Sequence, residues 1–308
     1  MPQLEESKQL ANVQTSAKLP LTAIIAARNE AHNLPRCLES LRAAAEIYVI
    51  DSQSTDDTVR IAESFGAHVV QFHYQGGWPK KRQWAMDSLL LSHDWIFLID
   101  ADESLTPELA DEIQQAIHDP ARDGYYIALR MFFLGRELCH SGASFYKLCL
   151  FRRGKARFEC RLKDQDNSMA DMEVHEHIVL EDGANAAGRL EHPLIHHNVE
   201  SLSRYIRKHD EYSNWEAKVW HTAELSTQQL TPKLFGSQAQ RRRWLRKRFF
   251  KIPGSPVLYF IYKYVFALGF LDGVPGLIYC LFQAVQFFHI KAKIYELKTQ
   301  AANPGKLS

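Results

Sequence analysis

The sequence predicts an α/β fold built on a parallel sheet, with a helical, apolar segment appended at the C-terminus. Three observations carry that expectation. Short apolar runs alternate with helix-periodic stretches from Leu21 to about Asp102, each apolar run ends where polar residues begin, and the character changes at the basic run RRRWLRKR, residues 241–248. The 308 residues are 46% hydrophobic and 24% charged, enough for one large core and an appendage.

The run LTAIIAA is the first expected strand, and Leu34, Leu38 and Leu41 fall at helical spacing behind it. EIYVID follows as a strand, then a helix from Asp57 to Phe65, the strand AHVVQF, a helix from about Lys80 to Leu91, and the strand WIFLID. Ligands of open α/β sheets bind outside the carboxyl ends of the strands, so Arg28 to Glu30, Asp51 and Asp100 to Asp102 are expected to converge on one crevice. TPELADEIQQAI is a helix with Thr106 as N-cap and Pro107 at its first position. GYYIALR, KLCLFRR and EVHEHIVL are strand-like, and residues 199–221 are helical in pattern. The expected organisation is a polar tail over 1–19, an α/β catalytic domain over 20–198, a helical connector over 199–240, a basic and apolar helical segment over 241–296, and a tail over 297–308.

Lys and Arg number 37 against 36 Asp and Glu, a balance that gives no footing for a nucleic-acid partner. The five cysteines are an odd set without a C-x-x-C pair, which fits a reducing compartment better than a disulfide framework. The first residues, MPQLEESKQLANVQTSAKLP, carry acids where a secretory signal carries positive charge before an apolar stretch, so no export is expected.

Asp100-Ala101-Asp102 directly follows a buried-type strand, and two carboxylates there can hold a hard divalent cation against phosphate oxygens. A bare D-x-D also occurs as an acidic turn capping the next helix, so its neighbours decide. Arg28-Asn29-Glu30 and Asp51 end the two preceding strands, where carboxylates can accept hydrogen bonds from a base or ribose. Asp56 and Asp57 are read as helix caps. Lys80-Lys81-Arg82-Gln83, after Gly76-Gly77, can meet a diphosphate at a helix start, although such a charge run alone is more often a solvated face.

The order AARNE, DSQSTDDT, KKRQWAMD and FLIDADE resembles glycosyltransferase family 2, the large inverting GT-A family, over roughly residues 20–180. The later VHEH, HPLIHHN and SLSRYIRKHDEYSNW segments resemble its lipopolysaccharide-core β-1,4-glucosyltransferase branch. That resemblance implies the GT-A nucleotide-diphospho-sugar transferase fold with a Rossmann-like mixed sheet, a UDP-sugar donor with glucose as the expected sugar, and a lipid-linked saccharide acceptor such as lipopolysaccharide core. It places Ala27, Arg28, Glu30 and Asp51 around the nucleoside, Lys80 and Lys81 by the diphosphate, and Asp102, with Asp100, on Mg2+ or Mn2+, Ala101 lying between them in the donor site. The family's frequent proline at the end of the first strand is replaced by Ala26-Ala27.

Inverting transfer needs one base for the acceptor hydroxyl. Glu176 is the candidate, because a late acid after the sheet fills that role in the family resembled, and Asp171 and Glu173 are the alternatives. In an alternating strand Glu176 shares a face with Val174 and Ile178, and Glu173 with His175 and His177, so pattern alone does not choose. His175, His177, His192, His196 and His197 match no helical zinc spacing and are expected to bind hydrogen-bond partners or acceptor instead. Trp78, Trp84, Trp95 and Phe133 can stack on sugar, but aromatics in such segments are more often core, where they are expected.

Six of the eight residues from Arg241 to Arg248 are basic, and a polybasic run beside apolar sequence favours anionic lipid. Ile252 to Ile290 is apolar but interrupted by Lys263, Asp272 and three prolines, leaving pieces shorter than the ~20 residues of a comfortable span. Residues 241–290 are therefore expected to form interfacial or re-entrant helices on the cytoplasmic face of the inner membrane. A true span, a buried helical pair or an oligomer interface are the alternatives for this segment. For the acidic pair the alternatives are nucleotidyl transfer or phosphohydrolysis, and for the whole chain a non-catalytic membrane scaffold.

Overall fold

The expected strand and helix beat is present in the computed structural model, which describes residues 18–165, 171–173, 176–197, 201–223, 235, 238–250 and 252–302. Strand β1 (Leu19–Ala27) is buried at every position but one, because helices cover both faces of the sheet. Helix α1 (Leu34–Ser40) turns Leu34, Cys37 and Leu38 inward, and Leu41 just beyond it is also buried. Then come β2 (Ala44–Asp51), α2 (Thr58–Ser64), β3 (His68–Gln71), α3 (Lys81–Ser88), β4 (Trp95–Asp100), β5 (Glu103–Ser104) and α4 (Pro107–Ala116). In α4 the Thr106 side chain caps Leu109 N at 3.2 Å and Pro107 opens the helix, as its sequence predicts.

The rest of the sheet comes from β6 (Gly124–Phe133), β7 (Arg136–Glu137), β8 (Phe145–Arg152), β11 (Ala187–Arg189) and β12 (Leu194–His197), while β9 (Ala156–Phe158) and β10 (Ile178–Leu180) form a separate ribbon. The main path runs β3-β2-β1-β4-β8-β6-β12-β5. The first four strands are parallel, β8 is antiparallel to both β4 and β6, and β12 is parallel to β6, so the sheet is mixed. The strand expected over EVHEHIVL is shorter, starting at Ile178, so Glu176 lies in the approach to β10 and strand alternation does not set its direction.

Helix α5 (Leu202–Ala223) crosses back over the domain, followed by α6 (Gln238–Phe249), α7 (Ser255–Ile261), a π turn (Tyr262–Phe266), a 3-10 turn (Gly269–Asp272) and the long α8 (Gly273–Ala302). Helices α5 and α8 pack against the β6 side of the sheet. Phe133 of β6 meets Tyr205 of α5 and Tyr279 of α8 edge-on at 5.6 and 5.7 Å, within a second cluster containing Met131, Leu138 and Ala143. Trp95 and Phe133 are core residues, and Trp78 and Trp84 pack against the core from its margin.

Candidate functional site

Strand register brings the acidic ends together. Ala27 pairs with Asp51 across β1 and β2, and Ala26 pairs with Asp100 across β1 and β4, so three strand ends open on one edge. The loops leaving β1 and β2 are stitched together: Asn29 N donates to Ser54 Oγ at 2.8 Å, Thr55 N to Asn29 Oδ1 at 2.8 Å, and Glu30 N to Thr58 Oγ1 at 2.8 Å. Asp51 is fully buried, accepting from Ser54 N at 2.9 Å and Gln71 Nε2 at 3.0 Å. Ala27 is buried beside it, and Arg28 is exposed. Asp56 accepts from Thr58 N at 3.1 Å and from Ala31 N at 3.2 Å, whereas Asp57 makes no cap bond and instead takes Arg60 Nε at 3.0 Å.

At the end of β4, Asp100 is held by two cations, Arg82 on one oxygen and Lys147 Nζ at 3.1 Å on the other. Ala101 is buried between the two acids. Asp102 is only 13% exposed, and its nearest cations are His196 Nε2 at 3.6 Å and Lys208 Nζ at 3.9 Å. Both distances lie beyond hydrogen-bond reach, so this carboxylate keeps acceptor capacity. Burial alone would raise its pKa, but His196 and Lys208 outweigh burial and lower it. Burial also opposes a charged His196, yet Asp102 and Glu103 raise its pKa. Glu30 accepts from Arg204 Nη2 at 2.6 Å and Asn33 Nδ2 at 2.9 Å; burial, aided by the Asp102 charge, pushes its pKa up.

The run Lys80 to Gln83 is buried, not the solvated face that a charge run alone suggests. Lys80 Nζ reaches Glu176 Oε2 at 2.7 Å, with both side chains sealed from solvent, and lies 4.5 Å from the Trp215 ring. Glu176 also accepts from Arg161 N at 3.2 Å, and burial raises its pKa to about 7 in spite of Lys80. Lys81 donates to Ala27 O at 3.0 Å and pairs with Asp171 at 3.2 Å, while Asp171 also accepts from Ser52 Oγ. Glu173 accepts from Arg82 N and Gln83 N at 3.2 and 2.9 Å, closing the amino end of α3. The three candidate bases thus have different surroundings: one paired under an indole, one on Lys81, one at a helix start.

Four further residues enter the site from α5. Arg204, Lys208, Tyr212 and Trp215 recur at helical spacing, with Arg204 on Glu30, Lys208 facing Asp102 and Trp215 over Lys80. Their spacing was visible in the sequence. Lys147 carried no such signal, because it sits on a strand between Tyr146 and Leu148, while Glu103 stands in the sequence directly after the Asp-Ala-Asp motif without a mark of its own.

Among the described residues the candidate histidines do not gather into one cluster. His192 pairs with Glu112 at 3.0 Å, His197 stacks on Phe132, His196 faces Asp102, and His175 lies outside the described residues. Among the described residues no three His, Cys, Asp or Glu side chains form a metal cage. The donor set does fit a hard cation that takes one or two carboxylates and completes its shell with substrate phosphate and water. Asp102 has the acceptor capacity; at Asp100 the cation would displace Arg82 or Lys147.

Residues 22–179 match the sequence model of Glycosyl transferase family 2. The chain is 30% identical over 296 residues to the lipopolysaccharide core biosynthesis glycosyltransferase LpsC of Rhizobium meliloti, covering 94% of this chain and 96% of that one. It is 28% identical to an uncharacterized glycosyltransferase of Rickettsia felis, over 92% and 93% of the two chains. Among solved structures, glucosyl-3-phosphoglycerate synthase from Mycobacterium tuberculosis, in complex with Mn2+, uridine diphosphate and glucosyl-3-phosphoglycerate, superposes with a TM-score of 0.29 at 21% identity, over 37% of this chain and 44% of that chain.

Proposed function

The chain belongs to glycosyltransferase family 2, and from that premise we propose that it transfers a hexose, glucose first, from a UDP-sugar to a lipid-linked saccharide of the lipopolysaccharide-core type, with inversion at the anomeric carbon. The observation that carries the reading is the meeting of Glu30, Asp51 and Asp100-Ala101-Asp102 on one edge of the sheet. In this reading Ala27, Arg28, Glu30 and Asp51 receive the nucleoside, and Lys80 and Lys81 answer the diphosphate. Asp102 and Asp100 would hold Mg2+ or Mn2+, whose charge stabilises the departing diphosphate.

Glu176 takes the acceptor's hydroxyl proton as the oxygen attacks the anomeric carbon opposite the leaving UDP. Its pKa of about 7 suits that exchange near neutral pH; like Asp171 on Lys81 and Glu173 at the α3 amino end, it is paired in this structure, and it acts as base once it parts from Lys80. Separating the Lys80–Glu176 pair frees a cation for the phosphates and a base for the acceptor in one movement. The enzyme works at the cytoplasmic face of the inner membrane, held there through residues 241–290.

Release of UDP from a panel of UDP-sugars, with and without divalent metal and with lipid-linked core saccharide as acceptor, tests the reading. Asp102→Ala should cut metal-dependent release about 100-fold or more while the protein still unfolds in one cooperative transition. No release from any UDP-sugar by folded protein would sink the proposal, and new nucleotide esters or free phosphate would point to nucleotidyl transfer or phosphohydrolysis.

A further inference from the structure

Two charged residues, Lys263 and Asp272, interrupt the apolar stretch from Ile252 to Ile290, and both are turned inward. Lys263, 8% exposed, donates to Gly142 O at 3.1 Å. Asp272, 2% exposed, accepts from His140 N at 3.1 Å, Cys139 N at 3.2 Å and Ser141 Oγ at 2.6 Å, and pairs with His140 Nδ1 at 3.0 Å. All of these partners belong to the loop between β7 and β8. The outer face of the whole stretch therefore carries no formal charge, although Val257, Phe266 and Val274 are 63%, 74% and 68% exposed. That many exposed large apolar side chains on one uncharged segment mark an interaction site.

Its occupant is indicated by what adjoins it. Helix α6 leads directly into the apolar face, and its basic run presents exposed Arg241 and Arg248, while Arg246 turns in to Glu216 at 2.8 Å. Cations beside uncharged apolar surface match anionic headgroups beside acyl chains.

The geometry also decides between dipping and crossing. Gly269–Ala302 is long and apolar enough to span a bilayer, α8 alone measuring about 45 Å. Yet Tyr279, Cys280, Ala284, Phe287 and Ile290 bury one face of it against the protein. Lys293 Nζ is fixed to Asp210 Oδ1 and Ser213 Oγ of α5 at 2.6 and 2.7 Å. Helix α7, seven residues or about 10 Å, is far too short to cross. The turn joining it to α8 is tight, since a Cβ at Gly276 would lie 2.3 Å from Gly269 O.

We infer that α7, the two turns and the first half of α8 form a monotopic hairpin that dips into one leaflet of an anionic bilayer, with Lys263 and Asp272 latching it to the catalytic domain. The inference deepens the membrane placement proposed above and rests on it.

Full-length protein, without donor, is floated with vesicles of phosphatidylcholine alone or mixed with phosphatidylglycerol. Binding should favour the anionic vesicles, and Val257→Asp/Phe266→Asp should weaken it about tenfold or more. Protease added to inverted membranes of expressing cells should cut both an N-terminal and a C-terminal tag. Equal binding by the variant, a protected C-terminal tag, or a parent dimer that the variant converts to monomer would each overturn the inference, the last by showing that a second copy covers the face. UDP release with a delipidated acceptor, measured separately, should be equal in parent and variant. Its absence from the parent would count against the transferase reading and leave the vesicle result standing.

Discussion

Glu103 directly follows the Asp100-Ala101-Asp102 turn and is firmly held. It is 1% exposed, with Lys147 Nζ at 2.8 and 2.9 Å from its two oxygens and its backbone neighbour Asp100 N at 2.9 Å. Burial would raise its pKa, but Lys147, then His196, hold it down from 4.5 to about 2. A depressed carboxylate contributes stability that is complete above its unfolded pKa and is lost as pH falls through the folded one. Here the contribution is about 3 kcal/mol, present above pH ~4.5 and lost toward pH ~2. Urea unfolding of the parent and Glu103→Gln should show a gap that narrows across that window. Glu176 has the opposite sign. Its raised pKa favours the protonated form, so its share of stability is present below pH ~4.5 and lost as pH rises through about 7. The rate should therefore rise with pH through a limb near 7, and Glu176→Gln should remove that limb; an unchanged profile in Glu176→Gln would transfer the base role to Asp171 or Glu173.

Helix α5 ties the crevice together. Trp215 has no exposed surface, donates Nε1–H to Gln165 Oε1 at 2.8 Å and roofs the Lys80–Glu176 pair. Trp215→Ala should cost about 3–5 kcal/mol in urea unfolding and, by wetting Glu176, move the pH limb down toward an ordinary carboxylate. The sequence declared the parallel strands and their acidic ends because strands buried on both faces are written as unbroken apolar runs closed by polar residues. Leu34, Leu38 and Leu41 were legible for the matching helical reason. What α5 covers was not, since periodicity identifies a face without naming its partner. The Lys80–Glu176 pair joins residues 96 positions apart, and the insertion of β8 between β4 and β6 is also non-local. No local pattern encodes either one.

Across the whole molecule, Asp272 is the joint between hairpin and catalytic domain. Asp272→Ala would leave the buried Ser141 Oγ and the backbone N–H groups of Cys139 and His140 without this acceptor, a loss of about 1–3 kcal/mol. Transfer to lipid-embedded acceptor should fall further than transfer to delipidated acceptor, since the second needs the crevice alone; equal losses in both assays would mean that the latch serves folding only. The two faces of α5 carry the broader consequence. One holds Arg204 and Lys208 on the acids of the crevice, while Asp210, Ser213 and Glu216 grip α8 and α6. On the membrane placement proposed above, the crevice would draw its donor from solution in three dimensions and meet its acceptor by lateral diffusion in two. Turnover then follows the number of acceptor molecules per unit area of bilayer, so adding inert lipid at constant total acceptor slows the enzyme although no bulk concentration has changed.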